Sequence, residues 1–113
     1  MKEVFYRVVV DGVGVYAAVD RDCPEGDSRR TAKPDGAWLP KKGTEYPGAV
    51  SFWTEYGWKK YKNSGLMDWH TSVVKGNVEI LKMGRPPDLL YEDEYQIIVT
   101  PGAVQQIQNL HQD

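Results

Sequence analysis

Residues 4–10, Val-Phe-Tyr-Arg-Val-Val-Val, are β-formers interrupted by a single charge. A run this continuous fits a strand buried on both faces better than one with a wet side. Such a strand needs partners at its edges and layers above and below it, so it sets the centre of any sheet the chain builds. Asp11-Gly12-Val13-Gly14 then reads as a hairpin turn, with Val15–Val19 returning as a second strand. Further strand signals lie at Ala49–Trp53, at Val78–Leu81 and at Glu94–Val99, where Ile97, Ile98 and Val99 are consecutive.

Helical signals are fewer. Thr54 is placed to cap a helix, because its hydroxyl can accept from an amide one turn on. Glu55 falls in the first turn, where its charge suits the helix dipole. Trp58 and Tyr61 follow at helical spacing, Gly57 weakens the helix and Gly65 is its natural stop. Val104, Ile107 and Leu110, three apart, predict a short terminal helix. Helices and strands do not alternate regularly. The expected class is therefore α+β, a twisted, mainly antiparallel sheet with one short central helix and a short C-terminal helix.

The 113 residues make one domain, 1–113, with 41% hydrophobic and 27% charged side chains, an ordinary globular balance. Residues 20–48 are rich in charge, Pro and Gly and read as a long irregular loop, of a kind that compact domains keep for function or mobility. Trp38 and Leu39 are its anchors, expected to dock on the core or on a ligand. Fourteen basic and sixteen acidic residues give a net charge of −2, which exerts no general pull toward nucleic acid. Cys23 is the one cysteine, so no internal disulfide forms, which favours a reducing compartment. No stretch approaches the ~20 apolar residues of a membrane span, and the first residues lack the apolar core of a signal peptide. A cytoplasmic protein with no membrane contact is the expectation.

Metal chemistry is not indicated. His70 and His111 lie far apart, and no paired-Cys or His-Glu-x-x-His spacing occurs. His70 is expected to be a surface or hydrogen-bond-satisfied histidine. Asp11-Gly12-Val13-Gly14-Val15 resembles half of a phosphate-binding loop, but it lacks the third glycine and no helix is expected after it. Phe52, Trp53, Tyr56, Trp58, Tyr61 and Trp69 are interleaved with Lys59, Lys60 and Lys62. Such a stretch can stack bases and bind phosphates; the favoured alternative is aromatics in the core with lysines on the wet face. Asp88, Glu92, Asp93 and Glu94 precede the last strand. Carboxylates so grouped raise one another's pKa unless solvated or used.

Three segments together carry a family resemblance: Phe5-Tyr6-Arg7 on the first strand, Ser51-Phe52-Trp53-Thr54 leading into a helix, and Glu92-Asp93-Glu94-Tyr95-Gln96-Ile97-Ile98-Val99 near the end. This layout resembles that of small ADP-ribosyltransferase-like domains. The resemblance implies nicotinamide adenine dinucleotide (NAD) as the cofactor. Arg7, Trp53 and Thr54 would contact it, through a diphosphate or ribose clamp, a stacked nicotinamide and a ribose hydrogen bond respectively. Glu94 would be the catalytic carboxylate, bonding the 2′-hydroxyl as oxocarbenium character builds at the ribose. Gln96 is the alternative register. If the pattern is Glu-x-Glu, a glutamine occupies the catalytic position, which implies a degenerate, non-catalytic relative. A separate reading makes the chain a small protein-interaction module of phage or mobile-element type. It would bind a host or partner protein through exposed aromatics, with Trp38 and one of the rings at 53–69 as anchors.

Overall fold

The computed structural model describes residues 3–23, 26–34, 49–86 and 89–100. Trp38 and Leu39, the helix expected at 104–110, Asp88 and His111 fall outside them. The class is the expected one. A curled antiparallel sheet carries helices on one face. Its strands are β1 (Phe5–Val10), β2 (Val13–Gly14), β3 (Val50–Trp53), β4 (Val78–Met83), β5 (Leu89–Glu92) and β6 (Gln96–Val99). The helices are α1 (Val15–Asp22), α2 (Glu55–Asn63) and α3 (Leu66–Val73), with a 3₁₀ turn at Ser28–Arg30.

β1 is the centre. It pairs along its whole length with β4, from Phe5↔Met83 to Val10↔Val78. A strand has two edges, so β2 and β3 must divide the other one. β3 meets it at Tyr6↔Trp53, and β2 meets it at Val9↔Gly14 and Val10↔Val13. β3 then pairs with β6 and β6 with β5, all antiparallel. As its apolar run requires, β1 is buried on both sides. Val8 and Val10 join α1, Trp53, Trp58 and Tyr61 in one cluster, while Phe5 and Val9 join Phe52, Leu81, Ile97 and Val99 in the other.

The expected hairpin is present, but it turns on two residues and not on all of Asp11–Gly14, since Val13–Gly14 already form β2. Asp11 and Gly12 have φ of 50° and 83°, the left-handed pair that matches strand twist. The chain does not return as a long second strand, however. β2 stops after two residues and Val15–Asp22 coils into α1. Val15, Ala18 and Val19 are its buried residues, the i, i+3, i+4 stripe of a helix. That period outweighs the β-propensity of its valines. Leu66, Met67 and Trp69 read as an apolar connector by sequence, but Leu66–Val73 is likewise helical, because Leu66, Trp69, His70 and Val73 repeat at the same period.

α2 follows the sequence closely. The Thr54 hydroxyl accepts from the Gly57 amide at 3.1 Å, Glu55 lies in the first turn, and Gly65 follows the helix with φ of 83°. Gly57 has a reason that its low helix propensity hides. A Cβ there would overlap the carbonyl oxygen of Tyr95, so its absence lets α2 sit down on the β5–β6 turn. No helix among the described residues is long and apolar enough to cross a membrane.

Candidate functional site

The pairing of β1 leaves an interval. Between the β3 contact at Tyr6 and the β2 contact at Val9, residues Arg7 and Val8 have no strand partner on that edge among the described pairs. The gap opens as a pocket of about 140 Å³. Its walls are Arg7 and Val8, the start of α1 from Gly14 to Ala17, Ser51–Trp53, and Gln96. A cavity of about 150 Å³ accepts a single benzene ring, so this hollow takes one small ring or one small ion.

Among the described lining residues Arg7 is the one that carries a charge. By strand alternation it lies on the Phe5–Val9 side of β1, and its guanidinium reaches across the edge. Nη1 donates to the Ser51 carbonyl at 3.0 Å. Nη2 lies so close to Gly14 that a Cβ there would stand 2.6 Å away. Among the described residues Arg7 makes this one hydrogen bond and no ion pair. Burial pushes its pKa down to about 10. Its other guanidinium nitrogens are not among the described side-chain atoms buried without a partner, so they keep some exposure. Gly14 is the N-cap of α1 and brings no side chain to satisfy the amides of the first turn.

Trp53 and Gln96 are neighbours across β3 and β6, and both reach the hollow. Trp53 is chiefly a core residue. It is 8% exposed and its ring stacks on Tyr61 at 5.1 Å. Gln96 is buried, with its amide nitrogen 3.4 Å from Asp93 Oδ2. Thr54 is engaged in the fold. Besides capping α2, its hydroxyl donates to the Glu94 carbonyl at 2.5 Å, and its amide donates to Tyr95. Glu94 is exposed in the β5–β6 turn and is not among the lining residues. The structure thus brings Arg7, Trp53 and Gln96 to one pocket, with Thr54 and Glu94 outside its lining.

The acidic cluster resolves into separate tasks. Glu92 pairs with Arg85 at 2.6 Å, and Arg85 also holds Glu3. The hydrogen bond to Arg85 keeps the Glu92 carboxyl below its ordinary range, the reverse of the mutual raising expected of grouped acids. Asp93 is a turn-former. One oxygen accepts from the Tyr95 and Gln96 amides at 2.8 and 2.9 Å, the other from the Tyr91 hydroxyl at 2.9 Å. The aromatics also sort themselves. Trp53, Trp58 and Tyr61 are buried, and Tyr6 stacks on Trp58 at 4.9 Å. Tyr56 is the ring that stands about half exposed, at 46%. A platform of free aromatic faces for single-stranded nucleic acid is therefore not assembled along this stretch.

His70 is fully buried and satisfied. The Tyr61 hydroxyl lies 2.8 Å from Nδ1 and the Arg29 carbonyl 2.7 Å from Nε2. A carbonyl only accepts, so Nε2 carries the proton and Nδ1 accepts from Tyr61. Among the described residues no group of three His, Cys, Asp or Glu side chains comes together to hold a metal. Comparison with protein-family models, with curated proteins and with solved structures finds no match to this chain.

Of the described lining, sequence points to Arg7, Trp53 and Gln96 as site residues and misses Gly14, Ser51 and the first turn of α1. By sequence Gly14 belongs to a turn and Ser51 to a motif leading to Thr54. The available signal was the helical stripe of Val15, Ala18 and Val19, which turns Gly14 from a strand residue into a helix cap.

Proposed function

We propose that this protein is a small ligand-binding domain that takes one end of a nucleotide-type molecule, NAD being the first candidate, at the Arg7 pocket and does not cleave it. The observation that carries this is the guanidinium of Arg7. Four of its five N–H donors have no partner among the described residues, and Arg7 lines a hollow with no carboxylate among its described lining residues. Drawing a charge out of water without a counter-ion is costly, and sites of that kind are more often kept for binding than for stability. Cleavage of a glycosidic bond needs a carboxylate beside the reacting ribose, and the pocket offers Gln96 instead. A binding domain without turnover, the degenerate relative of the sequence-based resemblance, fits that amide better than an enzyme does.

Titration with NAD followed by ¹⁵N NMR, with chromatography for released nicotinamide, tests this. Saturable shifts at Arg7 Nε–H, Val15–Ala17 and the Trp53 indole, with no nicotinamide released, support it. Silence at millimolar ligand ends it. Release of nicotinamide that disappears in Glu94→Gln would instead return Glu94 to the catalytic role that the resemblance gives it. The alternative, docking of a protein partner through exposed aromatics, keeps one half-exposed ring among the described residues, Tyr56.

A further inference from the structure

We infer that the group seated in the Arg7 pocket is an oxyanion, a phosphate or a carboxylate, and that a cationic ring such as the oxidised nicotinamide is excluded from it. This rests on the reading that the hollow is a binding site, and it names the chemistry that enters.

The charge comes from Arg7. Its guanidinium is half-buried, bonded once, to a backbone carbonyl, and faced by no acid in the described lining. The walls opposite are neutral: Ser51, Trp53 and the amide of Gln96. The first turn of α1 enters the same lining at Val15, Tyr16 and Ala17, so the positive end of that helix adds to the guanidinium instead of offsetting it. A carboxylate at position 96 would neutralise the hollow and admit a pyridinium. The glutamine there leaves the described lining net positive. A planar fork of N–H donors suits a two-oxygen acceptor, which phosphate and carboxylate both present and a nicotinamide ring does not. The size agrees. About 140 Å³ holds a phosphate or a single carboxylated ring, so a larger ligand must leave its remainder outside the mouth.

A purely structural Arg7, a strut between Ser51 and Gly14, is the competing account. A strut gains from having its donors used within the protein, and it has no preference among ligands. The two accounts therefore separate in solution.

The experiment follows Arg7 Nε–H and the Gly14–Ala17 amides by NMR at low ionic strength. It uses four probes: inorganic phosphate, nicotinate, nicotinamide and 1-methylnicotinamide. The last three share one ring and differ in charge by single units. Nicotinate is expected to bind at least tenfold more tightly than nicotinamide, with 1-methylnicotinamide producing no saturable shift, and added salt should weaken nicotinate. Phosphate against nicotinate then tells which oxyanion is preferred. Arg7→Met should abolish both. Gly14→Ala keeps the charge and has a backbone angle, φ −56°, that alanine adopts freely, but its Cβ displaces Nη2, so at least a tenfold loss is expected. Should Arg7→Met fail to fold, Gly14→Ala decides. Equal binding of the three rings, preference for the cation, or unchanged oxyanion binding in a folded variant overturns the inference. Oxyanion binding with no response to NAD would sink the nucleotide reading and leave the oxyanion site standing. NAD binding with no oxyanion preference would do the opposite.

Discussion

His70 and Arg7 are both polar groups drawn out of water, and their surroundings could hardly differ more. His70 sits among Tyr16, Tyr61 and Trp69 with each ring nitrogen bonded, one to a hydroxyl and one to a carbonyl. It fastens three elements at once: α2 through Tyr61, its own α3, and the 3₁₀ turn through Arg29. The segment beyond that turn is tied down nearby, where the Tyr16 hydroxyl donates to Ala32 at 2.7 Å and Lys33 lies over the Tyr16 ring. Arg7 has one bond and a hollow. A buried polar group whose valences are all used belongs to the fold, whereas one with valences open to a cavity is available to a ligand. The difference teaches that the count of satisfied donors, more than burial itself, separates the two kinds.

Replacing His70 tests the satisfied side hardest. His70→Ala removes a buried ring and strands both the Tyr61 hydroxyl and the Arg29 carbonyl. A loss of about 3 kcal/mol in urea unfolding is expected. A cost under about 1 kcal/mol would break the contrast. Tyr61→Phe keeps the ring and deletes only the donor to Nδ1. It should cost about 1.5 kcal/mol by the same measurement.

Thr54→Ala separates capping from ligand contact. Loss of the Gly57 cap should cost about 1 kcal/mol in thermal or urea unfolding, with ligand affinity unchanged. A fall in affinity would restore Thr54 to the site.

The pH dependence is smaller and has a definite sign. Burial holds His70 below its ordinary 6.5, the bond to the Arg29 carbonyl opposes this, and the charge of Lys33 adds to it. Tyr16 and Tyr61, which also face the ring, have pKa values raised by burial and stay neutral near pH 7. Below 6.5 the unfolded chain therefore binds a proton that the folded one does not. Stability from this group is complete above about pH 6.5 and falls as the pH drops through it, levelling off below the folded pKa. Unfolding between pH 7.5 and 5.5 should show that fall, and His70→Gln should flatten it.

Arg7→Met is the smallest expected change on stability. A long apolar side chain replaces a charge that has one bond, so unfolding free energy should move by no more than about 0.5 kcal/mol in either direction. A loss as large as that of His70→Ala would make Arg7 a strut and end the distinction.

Much of the fold was legible because it depends on neighbours in sequence. The two-sided burial of β1 follows from its composition, the Asp11-Gly12 hairpin from turn chemistry, and the Thr54 cap and Gly65 stop from helix-end chemistry. Two elements read differently by sequence and one escapes it, where a local preference conflicts with a period or a short length. Val15–Asp22 carries β-forming valines on a helical stripe. Leu66–Val73 has a helical stripe that reads as a plain apolar stretch. Leu89–Glu92 is a four-residue strand hidden by the acids that follow it, with a bulge between Leu89 and Tyr91. The candidate site was legible only in part. Arg7, Trp53 and Gln96 were visible as residue types, but Gly14 and the first turn of α1 were not.

The amino-acid order by itself determined the class, the central strand, the hairpin and the cap, since each follows from interactions within a few residues. Tertiary structure alone decided that there is a pocket. It exists because β3 leaves β1 after a single pair and α1 starts where β2 ends. That brings residues 7, 14, 51 and 96 together. The widths of such gaps are set by how twisted strands and helices pack on one another, and no local pattern in the chain encodes them.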